Sequence, residues 1–141
     1  NGDFATDSDW NKGTGWSIGN GVATANNVPN LQRLQSSGGT SSVIGNTYKY
    51  SIEVSNVSGA YSMYIYGVYV FSSISTEGVI EGYVTATSTN GTIFINGATA
   101  QGLISATIDN VSVKQVRATT VEASKCLADT IHRIGLQDIQ N

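Results

Sequence analysis

The amino-acid sequence predicts an all-β domain, folded as an antiparallel sandwich, with an amphipathic helix after it. Apolar and polar residues alternate with a period of two through residues 1–117, as they do in strands with one buried face. Clusters of Gly, Asn and Ser interrupt the alternation at short intervals, as turns do between closely spaced strands. A helical spacing replaces the alternation in residues 118–141. We therefore expect two units, a β-domain over 1–117 and a helical tail over 118–141.

The first strands are predicted to form a hairpin within TGWSIGNGVATAN, residues 14–26. Trp16 and Ile18 share one face of the first strand. Asn20-Gly21 supplies the positive φ angles of a tight two-residue turn. Val22 then begins the return strand, and Thr24 follows on the same face as Val22. Glycines 13, 15 and 19 thus belong to strands and turns rather than to a phosphate-binding loop, because no helix follows them.

The segment TYKYSIEVS, residues 47–55, is the clearest half-buried strand. Its alternation predicts that Tyr48, Tyr50, Ile52 and Val54 face the core while the polar residues between them face solvent. The next segment, YSMYIYGVYVF at 61–71, is apolar on both faces. It predicts a single central strand that is covered on both sides.

Three further segments, 78–88, 91–97 and 103–116, complete the predicted β-domain. In the last one the parity of the apolar residues changes between Ile108 and Val111, which predicts a β-bulge at Asp109-Asn110. The total is about eight strands. Their order indicates an antiparallel sandwich of jelly-roll type.

The tail carries helix signals. Thr119 and Glu122 have the spacing of a capping box, and Gly135 suits a helix end. Apolar residues fall near one helical stripe, and the stripe comprises Val121, Leu127, Ala128, Ile131 and Ile134. We expect this helix to serve attachment or assembly, by burying its stripe on the sandwich, on a neighbouring subunit or on a following domain.

Composition excludes several classes of partner. Charged residues make up 12% of the chain and its formal net charge is −3, with no cluster of Lys and Arg; we therefore expect no nucleic-acid partner. No run of about 18 apolar residues occurs, so we expect no membrane span. The single cysteine, Cys126, excludes an internal disulfide. It is expected to be a buried thiol, with pairing between chains as the alternative.

No catalytic constellation is recognisable, and we expect a protein that is not an enzyme. Cys126 and His132 are six residues apart in the predicted helix, a spacing that does not place them on one helical face. One His and one Cys also cannot supply a zinc site. Glycoside hydrolysis needs a facing pair of carboxylates, and nothing in the sequence marks such a pair among Glu53, Glu77, Glu81 and Asp109.

Aromatic side chains suggest a different kind of site, because sugars stack their apolar C–H faces on Trp and Tyr rings. The residues available for such a platform are Trp10, Trp16, Tyr61, Tyr64, Tyr66, Tyr69 and Tyr83. The candidates for carbohydrate binding are Trp10, Tyr64, Tyr66 and Tyr83. The alternative for each is a place in the core or an interface, since aromatic rings bury the largest area per residue. Trp16, Tyr48 and Tyr50 are expected in the core.

Four stretches in order resemble the carbohydrate-binding-module-like jelly roll, a family found beside glycosidases and in bacteriophage virion proteins. They are NGDF at the start, Trp10 with Gly15-Trp16, NTYKYSIEVSNVSG, and TIDNVSVKQV. The resemblance covers residues 1–117 and implies a β-sandwich whose first strand pairs with its last. It also implies a structural calcium held by the Gly2 carbonyl and the Asp109 carboxylate, oxygen ligands that suit this ion. Ala5 stands where the family commonly has an acidic residue, and Asp109 has a second interpretation as the cap of a turn.

The resemblance and the tail together suggest a virion structural protein of a bacteriophage, such as a capsid decoration, fibre or tail domain. Its expected partners are other virion proteins or identical subunits, and glycans on a host surface. The alternative is a carbohydrate-binding module from a secreted bacterial glycosidase, which would place the chain outside the cell. Because the chain starts at Asn1 within a motif, we expect a fragment, a processed product or the ordered part of a longer protein.

Overall fold

The computed structural model describes residues 2–38, 41–97 and 103–117, and within these ranges the chain forms ten β-strands and no helix. The strands are β1 (Trp10–Lys12), β2 (Trp16–Gly19), β3 (Val22–Val28), β4 (Arg33–Ser36), β5 (Thr47–Ser58), β6 (Tyr61–Ile65), β7 (Val68–Ile74), β8 (Gly78–Thr85), β9 (Ile93–Gly97) and β10 (Ile104–Gln115). The helix predicted over 118–141, with Val121, Leu127, Ile131 and Ile134, lies outside the described residues. In the described part of the chain, no helix is long and apolar enough to cross a membrane.

The strands form two five-stranded antiparallel sheets. Sheet A has the order β1-β4-β9-β6-β7, and sheet B has the order β2-β3-β10-β5-β8. The inner faces of both sheets contribute to one hydrophobic core, which includes Leu34, Met63 and Ile95 from sheet A and Ile52 and Ile108 from sheet B. The predicted two-sheet β-sandwich is therefore confirmed, with ten strands rather than about eight.

Strand β5 lies as its alternation predicts. Tyr48, Tyr50, Ile52 and Val54 are all buried, while β10 and β8 flank the strand on either side. Tyr50 pairs with Gly82 of β8. A Cβ atom at Gly82 would lie 2.7 Å from the Tyr50 hydroxyl oxygen. The strand therefore needs glycine at this position to make room for the tyrosine.

The hairpin at the start of the domain is also confirmed. Trp16 pairs with Ala25 and Ile18 pairs with Ala23, so large side chains on β2 face small ones on β3. The turn residues Asn20 and Gly21 have φ angles of 55° and 76°, as a type I′ turn requires. The expected core positions of Trp16, Tyr48 and Tyr50 are confirmed, because all three side chains are buried.

The prediction of one central strand over 61–71 is wrong. The segment is a hairpin of β6 and β7 that turns at Tyr66-Gly67, where φ is 49° and 100°. Only β6 lies inside the sheet, between β7 and β9, whereas β7 is an edge strand. The turn is hard to recognise in the sequence because its first residue is an aromatic one. The Tyr66 ring packs edge-on against Tyr48, with ring centroids 4.8 Å apart, which helps to hold this left-handed residue in place.

The bulge expected in the last strand is confirmed. The register between β10 and β5 shifts between Asp109 and Ser112, and Asn110 has a φ angle of 49°. Strand β10 pairs with β3 and β5, and the first strand, β1, pairs with β4 in the other sheet. The expectation that the first strand pairs with the last therefore fails for β1. Instead, the segment before β1 reaches β10 through the Gly2 carbonyl, which accepts a hydrogen bond from the Val111 N–H at 2.9 Å.

Candidate functional site

The structure does not gather on one surface the four aromatic residues that the sequence suggested for carbohydrate binding. Trp10 and Tyr66 pack in the core, where they are 8% and 3% exposed, and both line one cavity of about 480 Å³. Tyr83 is 66% exposed and lies on β8, the edge strand of sheet B, opposite Lys49. Tyr64 lies on the outer face of sheet A. These four residues do not form one surface.

A different set of side chains forms a continuous row across the outer face of sheet A. Directly paired residues of neighbouring strands share one face of a sheet, and here the pairing connects all five strands. We call this set the aromatic row, and its members are Asn11, Gln35, Phe94, Tyr64 and Tyr69. The adjacent residues Leu34, Met63 and Ile95 are fully buried in the core. Because side chains alternate between faces, the aromatic row points outward.

The rings of the aromatic row pack against one another. Tyr64 and Phe94 are stacked, with centroids 4.6 Å apart and an interplanar angle of 10°. Tyr69 meets both rings edge-on, at 5.2 Å from Tyr64 and 5.9 Å from Phe94. Stacked and edge-to-face pairs of this kind are favourable beyond the area that they bury. Phe94 is 4% exposed, whereas Tyr69 is 50% exposed, so Tyr69 offers its surface on a support that the other rings hold in place.

Arg33 covers the side of this cluster. Its guanidinium carbon lies 4.2 Å from the centroid of the Phe94 ring, within the range of a cation–π contact. Arg33 pairs with Asn96 of β9, and Asn96 pairs in turn with Ser62 of β6. This second row is polar: Asn96 and Ser62 are buried, whereas Arg33 is exposed. The Asn96 side-chain oxygen accepts no hydrogen bond from the described residues.

Polar side chains surround the rings along a shallow groove of about 350 Å³. Gln35, Asn90 and Thr92 line it together with Arg33 and the three rings. The Thr92 hydroxyl donates a hydrogen bond of 2.6 Å to the side-chain oxygen of Asn90, which orients this edge of the groove. Amides and hydroxyls both donate and accept hydrogen bonds. The groove thus combines apolar ring surface with groups that match hydroxyl-rich ligands.

Charge is distributed unequally between the two sheets. The five strands of sheet A contain Lys12 and Arg33 but no Asp or Glu, whereas those of sheet B contain Glu53, Glu81 and Asp109. The ion pairs among the described residues are Lys12–Asp7 and Lys49–Glu81. Within the described ranges, Arg33 therefore has no carboxylate partner.

One tyrosine on the inner face of sheet A titrates abnormally. Burial, and to a smaller extent the negative charge of Glu77, together raise the pKa of Tyr61 to about 12. The Tyr61 hydroxyl donates a hydrogen bond of 2.5 Å to the Thr76 carbonyl. Tyr61 is 1% exposed, so it supports the core beneath the site and does not reach the groove.

The two residues proposed for calcium do not by themselves form a fitting site. The Gly2 carbonyl already accepts the Val111 N–H, and the Asp109 carboxylate accepts the N–H of Asn110 at 2.7 Å. Calcium takes six to eight oxygen ligands, and this pair supplies a single carbonyl and a single carboxylate. The contact of Asp109 with Asn110 agrees instead with its second interpretation, as the cap of a turn.

Among the four carboxylates suggested for catalysis, Glu53 and Asp109 are direct cross-strand partners of β5 and β10, and both accept hydrogen bonds from Asn110. Glu77 and Glu81 make contacts elsewhere. Glu53 accepts a hydrogen bond of 2.9 Å from the Asn110 amide, Glu77 accepts one of 2.6 Å from the Val57 N–H, and Glu81 pairs with Lys49. No group of three or more His, Cys, Asp or Glu side chains that could hold a metal occurs among the described residues. Cys126 and His132 lie outside the described residues. The expectation of a non-enzymatic protein stays a prediction.

Among the residues of this surface, the sequence singles out only Tyr64 as a binding candidate. Tyr69 is an available aromatic residue but not a candidate, and sequence reasoning missed Phe94, Arg33 and Gln35. The segment TIFING contains a signal for Phe94, which lies between Ile93 and Ile95. In a strand with Ile93 and Ile95 facing the core, Phe94 must face outward. An outward phenylalanine needs cover, and Tyr64 and Arg33 provide it.

Comparisons with known proteins do not assign this chain to a family. No protein-family model matches the chain, and no curated protein matches it. One solved structure, described as "CBM4 structure and function", is similar with a TM-score of 0.49 and 10% sequence identity, over 76% of this chain and 78% of that chain. The β-sandwich assignment rests on the two sheets described above and not on this similarity.

Proposed function

We propose that this domain binds glycans without catalysis, and that the aromatic row on the outer face of sheet A is the binding surface. The observation that carries the proposal is the half-exposed Tyr69 ring, supported by the stacked pair Tyr64 and Phe94. Such a jelly-roll module would hold a sugar chain against these rings and release it unchanged.

The chemistry of the surface suits a carbohydrate. A pyranose ring has apolar C–H faces and hydroxyls around its edge. A protein surface that binds it therefore needs an aromatic ring with amides and hydroxyls beside it. Tyr69 supplies the first, and Gln35, Asn90 and Thr92 supply the second. The rings are already packed against one another in the free protein, which lowers the entropy cost of binding.

The shape of the surface favours a chain of sugars over a single one. Neighbouring strands lie about 4.8 Å apart, so a row that crosses five strands extends over about 19 Å. The groove is shallow and open, whereas sites for small molecules enclose most of the ligand surface. We therefore expect binding to an oligosaccharide or to a stretch of polysaccharide.

Affinity electrophoresis in gels that contain soluble polysaccharides tests the proposal. At least one neutral or acidic polysaccharide should retard the wild-type protein, and Tyr69→Ala should weaken this binding about tenfold, which corresponds to about 1.4 kcal/mol. Tyr83→Ala is the matched control, since it removes an exposed tyrosine from the opposite sheet. Retardation that is equal for wild type and Tyr69→Ala, or that is lost only in Tyr83→Ala, would contradict the proposal.

Both contexts suggested by the sequence accommodate a glycan-binding surface. A virion protein would use it on host-surface glycans, and a module beside a secreted glycosidase would use it on the polysaccharide that the enzyme cleaves. The virion interpretation depends in addition on the tail over 118–141, which lies outside the described residues. The virion role, the alternative and both locations stay predictions.

A further inference from the structure

We infer that the aromatic row selects carboxylated glycans, and that Arg33 binds the sugar carboxylate. This inference rests on the proposed function, because it assigns the class of glycan to the same surface. It is carried by the position of Arg33 against Phe94 and by the charges around it.

Arg33 is held in place and yet keeps its donors available. The cation–π contact with Phe94 holds the guanidinium carbon 4.2 Å from the ring centroid. The N–H donors lie around the edge of the guanidinium plane. Within the described residues they make no hydrogen bond and no ion pair. An incoming acceptor therefore has no internal partner to displace.

The surroundings of Arg33 favour an anion. No strand of sheet A contains Asp or Glu, and Lys12, the other cation of these strands, is paired with Asp7. The other residues that line the groove, Gln35, Tyr64, Tyr69, Asn90, Thr92 and Phe94, are all neutral. A carboxylate placed here would meet one positive charge and no negative charge among the described residues.

A carboxylate fits this site better than a hydroxyl does. Guanidinium and carboxylate groups form two parallel hydrogen bonds, and such charge-assisted bonds are roughly twice as strong as neutral ones. A sugar with a carboxylate on its ring can stack on Tyr69 and present that group to Arg33, since both residues line the same groove. Uronic acids have this arrangement of ring and carboxylate.

The net charge of the chain makes the inference easier to test. A chain of net charge −3 has no general attraction for polyanions. Binding of an acidic polysaccharide would therefore report a local site. A basic protein, in contrast, would bind such polymers through its surface as a whole.

Titration calorimetry with polygalacturonate and with its fully methyl-esterified form compares a carboxylated and a neutral version of one polymer. We expect the wild-type chain of 141 residues to bind polygalacturonate at least tenfold more tightly than the ester. Arg33→Gln should lose about tenfold in affinity for polygalacturonate, and Arg33→Lys should lie between the two because it keeps the charge without the planar fork. Lys49→Gln changes the net charge equally on sheet B and should bind as wild type does.

Three results would overturn the inference: equal affinity of wild type for the acid and the ester, equal losses in Arg33→Gln and Lys49→Gln, or binding of dextran sulfate in place of polygalacturonate. The first of these needs no variant, so it holds even if Arg33→Gln fails to fold. If neutral glycans bind through Tyr69 while Arg33→Gln has no effect, the inference fails and the proposed function stands. If neither acidic nor neutral glycans bind, the proposed function fails as well.

Discussion

The outer faces of the two sheets are built on the same strand geometry but display different chemistry. Sheet A carries the aromatic row with Arg33 beside it, and its strands contain no carboxylate. Sheet B carries the Lys49–Glu81 ion pair, with Glu53, Asp109 and Tyr83. Each face has an exposed tyrosine, but only Tyr69 on sheet A packs against other rings among the described residues.

The comparison teaches that exposure alone does not make a binding residue. Tyr83 is more exposed than Tyr69, and it stands among charged side chains without aromatic support in the described structure. An isolated side chain loses rotamer freedom when it binds, whereas the ring contacts of Tyr69 already restrict it. The two tyrosines therefore form a matched pair: comparing them separates the effect of exposed ring area on binding from the effect of packing against neighbouring rings.

The largest effect is expected from Phe94→Ala, which removes the ring between Tyr64 and Arg33. Truncation of a buried phenylalanine costs about 3–5 kcal/mol, and we expect a value near the lower limit because this cavity opens toward solvent. Tyr83→Ala, on the opposite face, should change the free energy of unfolding by less than about 0.5 kcal/mol. Urea unfolding followed by tryptophan fluorescence measures both.

Arg33→Gln provides a control for this prediction. It removes the cation but keeps Phe94, so its unfolding free energy should stay within about 1 kcal/mol of wild type. If Phe94→Ala and Tyr83→Ala lowered the free energy of unfolding equally, the packed rings of the aromatic row would stabilise the fold no more than an isolated exposed tyrosine does. The two faces would then not differ in this respect.

Much of the fold follows from the sequence because local patterns determine it. The alternation in β5 predicts its buried face, Asn20-Gly21 predicts a turn, and the change of parity after Ile108 predicts the bulge at Asn110. The hairpin of β6 and β7 does not follow in the same way. Its turn begins with Tyr66, and only the packing of that ring against Tyr48 reveals why the chain reverses there.

The site was predictable only in part, because it depends on strand order. Of the aromatic row, the sequence makes only Tyr64 a candidate for carbohydrate binding; Tyr69 is one of the available aromatic residues, and Phe94 is far from both in the sequence. These residues meet because β9 pairs with β6 and β6 with β7. Arg33 joins them through the pairing of β4 with β9. Alternation gives the face of each strand but not the identity of its neighbour, so the composition of the row required the structure.

The second largest effect concerns the inner face of sheet A, where the buried Tyr61 contrasts with the half-exposed Tyr69 on the outer face. Because the pKa of Tyr61 is raised from 10.0 to about 12, the folded state keeps this proton after the unfolded chain has lost it. The associated stability is fully present below pH 10. It should fall by about 2–3 kcal/mol between pH 10 and pH 12.

Tyr61→Phe tests this origin of alkaline instability. The variant should lose about 1 kcal/mol at pH 8, where the hydrogen bond to Thr76 is missing. Its stability should then decline less steeply than that of wild type between pH 10 and pH 12. Urea titrations at pH 8, 10, 11 and 12 measure the two slopes, and equal slopes would show that Tyr61 is not the group responsible.

The smallest effect concerns the β-bulges that curve sheet B, where asparagines occupy the positions with positive φ angles. Asn27, Asn56 and Asn110 all have positive φ angles, and each lies where the register of β10 with a neighbour shifts.

Asn56→Ala should cost about 1 kcal/mol, because a Cβ-bearing residue without a local polar group is strained in the left-handed region. Asn56→Gly should cost little, because glycine adopts this conformation freely. Both variants lose the same side-chain contacts to Ser55 and Thr107, which are long at 3.4 Å, so the difference between them isolates the backbone. Thermal unfolding of the two variants gives this difference. If alanine proved as stable as glycine, asparagine would not be what sets the bulge, and the curvature of sheet B would have to come from its packing on the core.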